Sequence, residues 1–324
     1  MTPAHPPVTP APDATLADLG EFGLVTALKA RFPQGEHVLL GPGDDAAVVA
    51  VPDGRVVVST DLLVDTRHFR RDWASALDIG HKAAAQNLSD INAMGGRATA
   101  LTVGLAAPPE LSVAWALELA DGIAEEAALV DASVVGGDLT RADEVMIAIT
   151  VLGVCEGEPV LRSGARPGDI VAIAGRQGWA AAGLAVLTRG FRSPRVLVEA
   201  HRRPEPPYAA GAQAAALGAT AMIDLSDGLL ADVGHIAEDS GVAIDVLSDR
   251  FEVAEPLRAV GAALGADPMQ FILTGGDDHA LVATFPAGTT LPAEWTQIGE
   301  VSEGEGVTVD GAAYEGPTGH QHFA

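Results

Sequence analysis

Aspartates in this chain recur beside glycines and hydroxyl residues, in a pattern suited to holding divalent cations against phosphate. Six stretches carry them: Gly43-Asp44-Asp45, Ser59-Thr60-Asp61, Asn87-Leu88-Ser89-Asp90, Gly136-Gly137-Asp138, Asp224-Leu225-Ser226-Asp227-Gly228 and Gly275-Gly276-Asp277-Asp278. They are expected where strands end and turns begin, apart from Asn87–Asp90, which falls within an expected helix. Carboxylates there supply the oxygen ligands that Mg²⁺ prefers, and glycine lets the backbone approach a phosphate closely. Taken singly, each stretch reads equally well as a turn or a helix cap, because Asp favours both. Six in one chain point to a common purpose.

Asp224 and Asp227 are three apart, the first ending a strand and the second opening a helix. Asp227 therefore reads both as an N-cap and as a ligand. The free amides expected at Gly228 would favour an anion, to which Ser226 could also donate. Asn87 and Asp90 fall on one helix face, away from the apolar stripe at Ala84, Leu88 and Ile91, where a solvated surface is the plain alternative. His68, between Arg67 and Phe69, reads by itself as an ordinary packed histidine.

The chain has no Gly-x-x-x-x-Gly-Lys-Ser/Thr loop, no Gly-x-Gly-x-x-Gly after a strand and no His-Arg-Asp loop. Its only lysines are Lys29 and Lys82. A carboxylate-rich, lysine-poor site can hold polyphosphate only through bridging metals, since carboxylates and phosphates repel.

The elements that must position these groups alternate between strand and helix, giving an expected mixed α/β fold. Residues 38–40, 46–51 and 55–60 read as short strands in a meander or hairpin around Pro52-Asp53-Gly54. Residues 75–94 read as a helix with one buried stripe, ended by Gly95-Gly96, and 113–129 as a second helix. Strands are expected at 98–106, 132–135, 144–154, 170–174 and 221–224, and helices at 180–188, 209–217 and 228–239. The Pro- and Gly-rich segment 156–169 marks a domain boundary. The expected organisation is a disordered tail at 1–15, an amino-terminal domain at 16–157 and a carboxyl-terminal domain at 158–324.

At 324 residues the chain is long enough for two domains. With 44 acidic against 19 basic residues its net charge is −25, which makes nucleic acid a poor partner. Apolar runs stop near ten residues, short of the roughly 20 that cross a bilayer, so no membrane span is expected. The first fifteen residues lack the basic start and apolar stretch of a signal peptide, which points to the cytoplasm. The single cysteine, Cys155, reads as a buried structural thiol.

As a set, GPGDDAAVV, STDLLVDTRHF, KAAAQNLSDINAMG, VVGGDLTR, LRSGARPGD, IDLSDGLLADVGHI, LTGGDD and the terminal GHQHF resemble the thiamine-monophosphate kinase family, in the family's own order. That family belongs with the aminoimidazole ribonucleotide and selenophosphate synthetases. The resemblance implies two domains, with ATP and several Mg²⁺ held between them, and a homodimer paired through the amino-terminal domains. It implies metal ligands at Asp45, Ser59, Thr60, Asp61, Asp90, Asp138, Asp224 and Asp227, and ATP contacts at Gly137, Asp138, Arg162 and Ser226. Asp90, Asp138, Arg162 and Asp227 would carry the transfer. Contacts to thiamine monophosphate map to His68, Asp277 and, in place of an aromatic, His320. Asp277-Asp278-His279-Ala280 stands where the family usually has Glu-Asp-Tyr-Glu, and Asp65-Thr66-Arg67-His68-Phe69 where it has acidic-Gly-Val-His-Phe. The alternatives are another ATP-dependent synthetase of the same superfamily, or a non-catalytic acidic protein that binds divalent ions. No Cys and only one lysine, Lys29, in residues 1–44 disfavour a selenophosphate synthetase.

Overall fold

The expected alternation of strand and helix is present on two units, Met1–Leu88 with Ala98–Val154 and Ser89–Arg97 with Cys155–Ala324. They are seen in a computed structural model that describes residues 11, 13–42 and 47–320. Most of the expected tail lies outside the described residues, as do Asp44 and Asp45. Thr15 is described and starts the first helix: its backbone and hydroxyl exchange hydrogen bonds with Asp18, satisfying amides that would otherwise be orphaned.

The first unit runs α1 (Leu16–Lys29), β1 (Val38–Leu40), β2 (Val48–Val49), β3 (Val57–Val64), α2 (Ala76–Ala93), β4 (Arg97–Ala107), α3 (Val113–Ala128), β5 (Ser133–Arg141) and β6 (Met146–Val154), with the end of α2 counted in the second unit. β1 and β2 pair antiparallel, but the strands expected to meet around Pro52-Asp53-Gly54 do not, because β3 leaves this pair. It pairs antiparallel with β6 over eight positions, from Val57↔Gly153 to Val64↔Met146. The sheet order is β3-β6-β4-β5, with β4 and β5 parallel across the α3 crossover.

Helix α2 departs from the expected single stripe. None of its residues is exposed, and Asn87 and Ser89 are wholly buried, so the polar face read as solvated is buried at Asn87 and half-buried at Asp90. Its composition permits this, because Ala and Gly leave room for neighbours on every side. Ser75 and Asp78 cap its start reciprocally, and Gly96 closes its end by donating to Ile91 O at 3.0 Å.

The second unit adds β7 (Ile170–Ala174), α4 (Trp179–Thr188), α5 (Arg195–Arg202), α6 (Ala210–Ala216), β8 (Ala221–Asp224), α7 (Leu229–Ser240), β9 (Ala243–Val246), α8 (Glu255–Leu264), α9 (Pro268–Thr274), β10 (Leu281–Phe285), β11 (Trp295–Ser302), β12 (Gly306–Val309) and β13 (Ala312–Ala313). Its seven-stranded sheet has the order β13-β12-β9-β11-β7-β10-β8. Leu229, Val233 and Ile236 of α7 join Ile223, Ile244 and Val282 in one core, while Ala210, Ala214, Phe285 and Trp295 share another. All five residues of β10 are buried, as expected of a strand covered on both faces. Cys155 is half-buried rather than buried, its thiol 3.6 Å from Met94 O.

Candidate active site

Strand β8 ends on Asp224, buried, with its Oδ2 3.0 Å from Nδ1 of buried His279. An ionised carboxylate only accepts hydrogen bonds, so this contact places the ring proton on Nδ1. Beyond Asp224 the chain turns into α7, and here the expected cap is corrected. The N-cap is Gly228 rather than Asp227, and the amides of Asp227 and Gly228 both donate to Asp232 Oδ2, at 3.1 and 3.0 Å. The anion at this helix start is the chain's own carboxylate. Burial pushes Asp232 up to about 7 against the hydrogen bond from Gly228, and the charges of Asp224 and Asp227 add to the rise.

The loop from Gly275 to Ala280 is stitched onto this turn. Asp277 N donates to Ser226 O at 2.9 Å, His279 N to Leu225 O at 3.1 Å, and Leu225 N to Ala280 O at 2.8 Å. The approach is close enough that a Cβ on Gly276 would lie 2.1 Å from Ser226 O. His320 N, near the carboxyl terminus, donates to Asp227 O at 3.0 Å. Asp224, Ser226, Asp227, Asp277 and His320, spread over almost a hundred positions of sequence, therefore gather at one place in this unit. Asp277 and His279 reach it with left-handed φ of 69° and 52°, a strained conformation for residues with side chains. His201, on α5, sits with Nδ1 4.0 Å from Asp277 Oδ2.

Asp278 turns away from this group. Its Oδ1 accepts from Ala180 N at 2.9 Å, which caps α4, and burial raises its carboxyl to about 7. A carboxyl raised in the fold contributes its stability below the unfolded value of 3.8 and loses it as pH climbs through about 7. The upper bound is about 4 kcal/mol. The melting temperature should fall between about pH 4 and 7, and Asp278→Asn, which keeps the acceptor for Ala180, should flatten part of that fall. Melting curves across this range test it; an unchanged slope in the variant would refute the assignment.

In the first unit, Ser59, Thr60 and Asp61 occupy the middle of β3, not its end. Alternation then sends Thr60 to the opposite face from its neighbours, where its hydroxyl lies 3.0 Å from both Ile149 O and the Thr150 hydroxyl. Its side chain is not directed with those of Ser59 and Asp61. Asp61 N is held at 3.1 Å by Oδ1 of Asn87, whose amide also donates to Ala83 O within α2. Gly137 and Asp138 lie inside β5, on the opposite sheet edge from β3. Three strand spacings, about 14 Å, separate those edges, too far for Asp61 and Asp138 to share one Mg²⁺ across the sheet. Gly137 has no room for a side chain, since a Cβ would meet Val103 O at 1.9 Å. Gly137 and Asp138 wall a largely apolar cavity of about 610 Å³ with Val25, Leu28, Lys29 and Ile123.

His68 follows β3 in a tight turn in which Thr66, at φ 68°, stands in the conformation that glycine accepts most readily. Val64 N donates to His68 Nδ1 at 3.0 Å, so the ring carries its proton on Nε2. Arg162 is exposed, and its guanidinium makes no ion pair among the described residues. Asp90 is half-buried near the end of α2.

Sequence reasoning assigned no role to Asn87 beyond its helix face, and none to Asp232, His201 or the His279 imidazole. The four-residue step from Gly228 to Asp232 is the one signal that could have exposed a helix-start contact. Among the described residues, no three His, Cys, Asp or Glu side chains converge into a ready-made metal cage. The donor set at Asp224 and Asp227, as at Ser59 and Asp61, is oxygen alone. It fits Mg²⁺, which is commonly held by one or two carboxylates together with substrate phosphates.

Residues 43–155 match the family model described as AIR synthase related protein, N-terminal domain. A thiamine-monophosphate kinase of Mycobacterium tuberculosis is 49% identical over 312 residues, covering 95% of this chain and 93% of that protein. The crystal structure of thiamine-monophosphate kinase from Stenotrophomonas maltophilia superposes with a TM-score of 0.80 at 34% identity, covering 91% of this chain and 98% of that one. A structure described as AaThiL complexed with AMPPCP and TMP gives a TM-score of 0.80 at 33% identity, covering 96% and 99%.

Proposed function

The chain belongs to the thiamine-monophosphate kinase family, and we propose that it transfers the terminal phosphoryl group of ATP to thiamine monophosphate, giving thiamine diphosphate. The observation that carries this reading is the gathering of Asp224, Ser226, Asp227, Asp277 and His320 by backbone hydrogen bonds. It sits in a chain that matches enzymes of this name along almost its whole length. ADP release that depends on both thiamine monophosphate and Mg²⁺ is the expected result with purified protein. Absence of transfer at millimolar Mg²⁺ would overturn the reading, and ADP release indifferent to the acceptor would favour another ATP-dependent synthetase.

The acceptor oxygen needs no base, because a phosphate monoester with a second pKa of about 6 is already ionised at neutral pH. The obstacle is charge: two unit charges about 4 Å apart repel by about 4 kcal/mol at an effective dielectric near 20. Mg²⁺, when bound, would offset that repulsion and the charge that develops during transfer. Asp61, Asp90, Asp138, Asp224 and Asp227 are the proposed ligands of several such ions, with Asp61 and Asp138 serving different ones, together with Ser59 and the backbone of Thr60; Asp45 belongs to the same proposal but lies outside the described residues. Arg162 offers a fixed positive charge for phosphate, and Gly137, Asp138 and Ser226 are the proposed ATP contacts. Asp90, Asp138, Arg162 and Asp227 are proposed to carry the transfer. His68, with its proton on Nε2, is a hydrogen-bond donor for the acceptor, which Asp277 and His320 would also contact.

The same reading includes a homodimer in the cytoplasm. Support for the dimer comes from β3, where Val58 and Leu62 are 58% and 47% exposed at alternate positions of one sheet face. Exposed apolar side chains on a sheet edge strand, here flanking the exposed Thr60, suit a contact with a second copy. Sedimentation of the full chain should give a dimer, and Val58→Lys with Leu62→Lys should give a monomer. A wild-type monomer at tens of micromolar would count against this arrangement.

A further inference from the structure

We propose that His279 is a positioning residue that fixes the Asp224 carboxylate for cation binding and fastens the acceptor loop to it. The inference rests on Asp224 being a Mg²⁺ ligand, as read above. His279 and Asp224 are 4% and 5% exposed, so neither side chain exchanges this contact readily for water. The 3.0 Å hydrogen bond occupies Oδ2 of Asp224 and leaves Oδ1 for a cation. A buried carboxylate without such a donor would pay the full cost of desolvation. The imidazole N–H satisfies one oxygen of that carboxylate and so removes part of that cost, whereas the fixed charge of a lysine or arginine in its place would repel the cation.

The backbone supports the same reading. His279 stands at φ 52°, where glycine would sit without strain, so the imidazole is what this position gains for the cost. Its own N–H donates to Leu225 O, one residue beyond Asp224, while Asp277 two residues earlier donates to Ser226 O. Side chain and backbone of one residue thus tie the acceptor-binding Asp277 to the carboxylate, and a shift of either is felt by the other.

The test uses full-length protein with saturating AMPPCP and Mn²⁺, a hard cation that accepts the same oxygen ligands. Free Mn²⁺ is read by electron paramagnetic resonance, with melting curves recorded for every variant. His279→Gly keeps the left-handed backbone and removes the donor; it should weaken Mn²⁺ binding about 10- to 100-fold. His279→Asn tolerates the same φ and offers a side-chain N–H near the position of Nδ1; it should stay within about threefold of wild type. In turnover, His279→Gly should raise the Mg²⁺ concentration needed for half-maximal rate more than it lowers the rate at saturating Mg²⁺. Wild-type Mn²⁺ affinity in His279→Gly, alongside weakened binding in Asp224→Asn, would overturn the role of His279 alone. Wild-type affinity in all three variants would overturn the ligand role of Asp224 itself. A loss in His279→Asn as large as in His279→Gly would also refute the proposal, since the donor would then not be the cause.

Discussion

Asp61→Asn and Asp224→Asn should each lower turnover by about a hundredfold or more while the protein stays folded. Each exchange removes a charge and almost no volume. Metal-assisted stabilisation of the transferring group is worth several kcal/mol, and each 1.4 kcal/mol or so is tenfold in rate. The fold should tolerate the change because neither backbone anchor is touched. Asp61 is held through its amide by Asn87, and Asp224 through its register opposite Leu281 on β10. At Asp224 the exchange also removes repulsion, since its charge is one of those that raise Asp232. Melting temperatures without Mg²⁺ should therefore hold or rise. With Mg²⁺ and nucleotide the wild type should gain stability by mass action, and the variants should gain less. Near-normal turnover in both variants would make these aspartates turn and strand residues only.

The candidate residues were more legible in the sequence than the framework that holds them. Gly-flanked aspartates announced themselves through chemistry that needs particular atoms, so Asp224, Asp227 and Asp277 could be named before their loops were seen together. Their setting was harder to read. Asp61 and Asp138 were expected at strand ends because Gly and Asp signal turns, yet both lie within strands, where pairing to β6 and β4 overrides that local preference. Period-2 alternation, once β3 is known to run through residue 61, separates Thr60 from Ser59 and Asp61. The sequence alone did not say where β3 ends. Helix α2 shows the opposite limit: its apolar spacing was read correctly as helical, but burial on every side depends on neighbours distant in sequence. Sequence reasoning assigned no element over residues 16–29, although the Thr15–Asp18 capping box was the signal that could have marked the start of α1, a helix kinked at Gly20.

Thiamine itself should be a very poor acceptor compared with its monophosphate. The monophosphate arrives with an ionised oxygen, whereas thiamine offers an alcohol whose pKa lies far above neutral. General-base help for such a group is typically worth about 10²- to 10⁴-fold, and the proposed transfer assigns no residue to supply it. His68 is the group to consider, and its geometry argues against proton abstraction. Nδ1 already accepts the Val64 amide at 3.0 Å, and Nε2 then bears the proton, so the imidazole presents a donor to whatever lies before it. Removing that donor should weaken acceptor binding more than it slows transfer. His68→Asn is therefore expected to raise KM for thiamine monophosphate more than it lowers kcat. For the wild type, the rate should rise with pH near the acceptor's own second pKa, about 6, and stay level above it. Comparable turnover of thiamine and thiamine monophosphate, or a collapse of kcat alone in His68→Asn, would show that a working base is present and that transfer does not proceed by positioning and charge compensation.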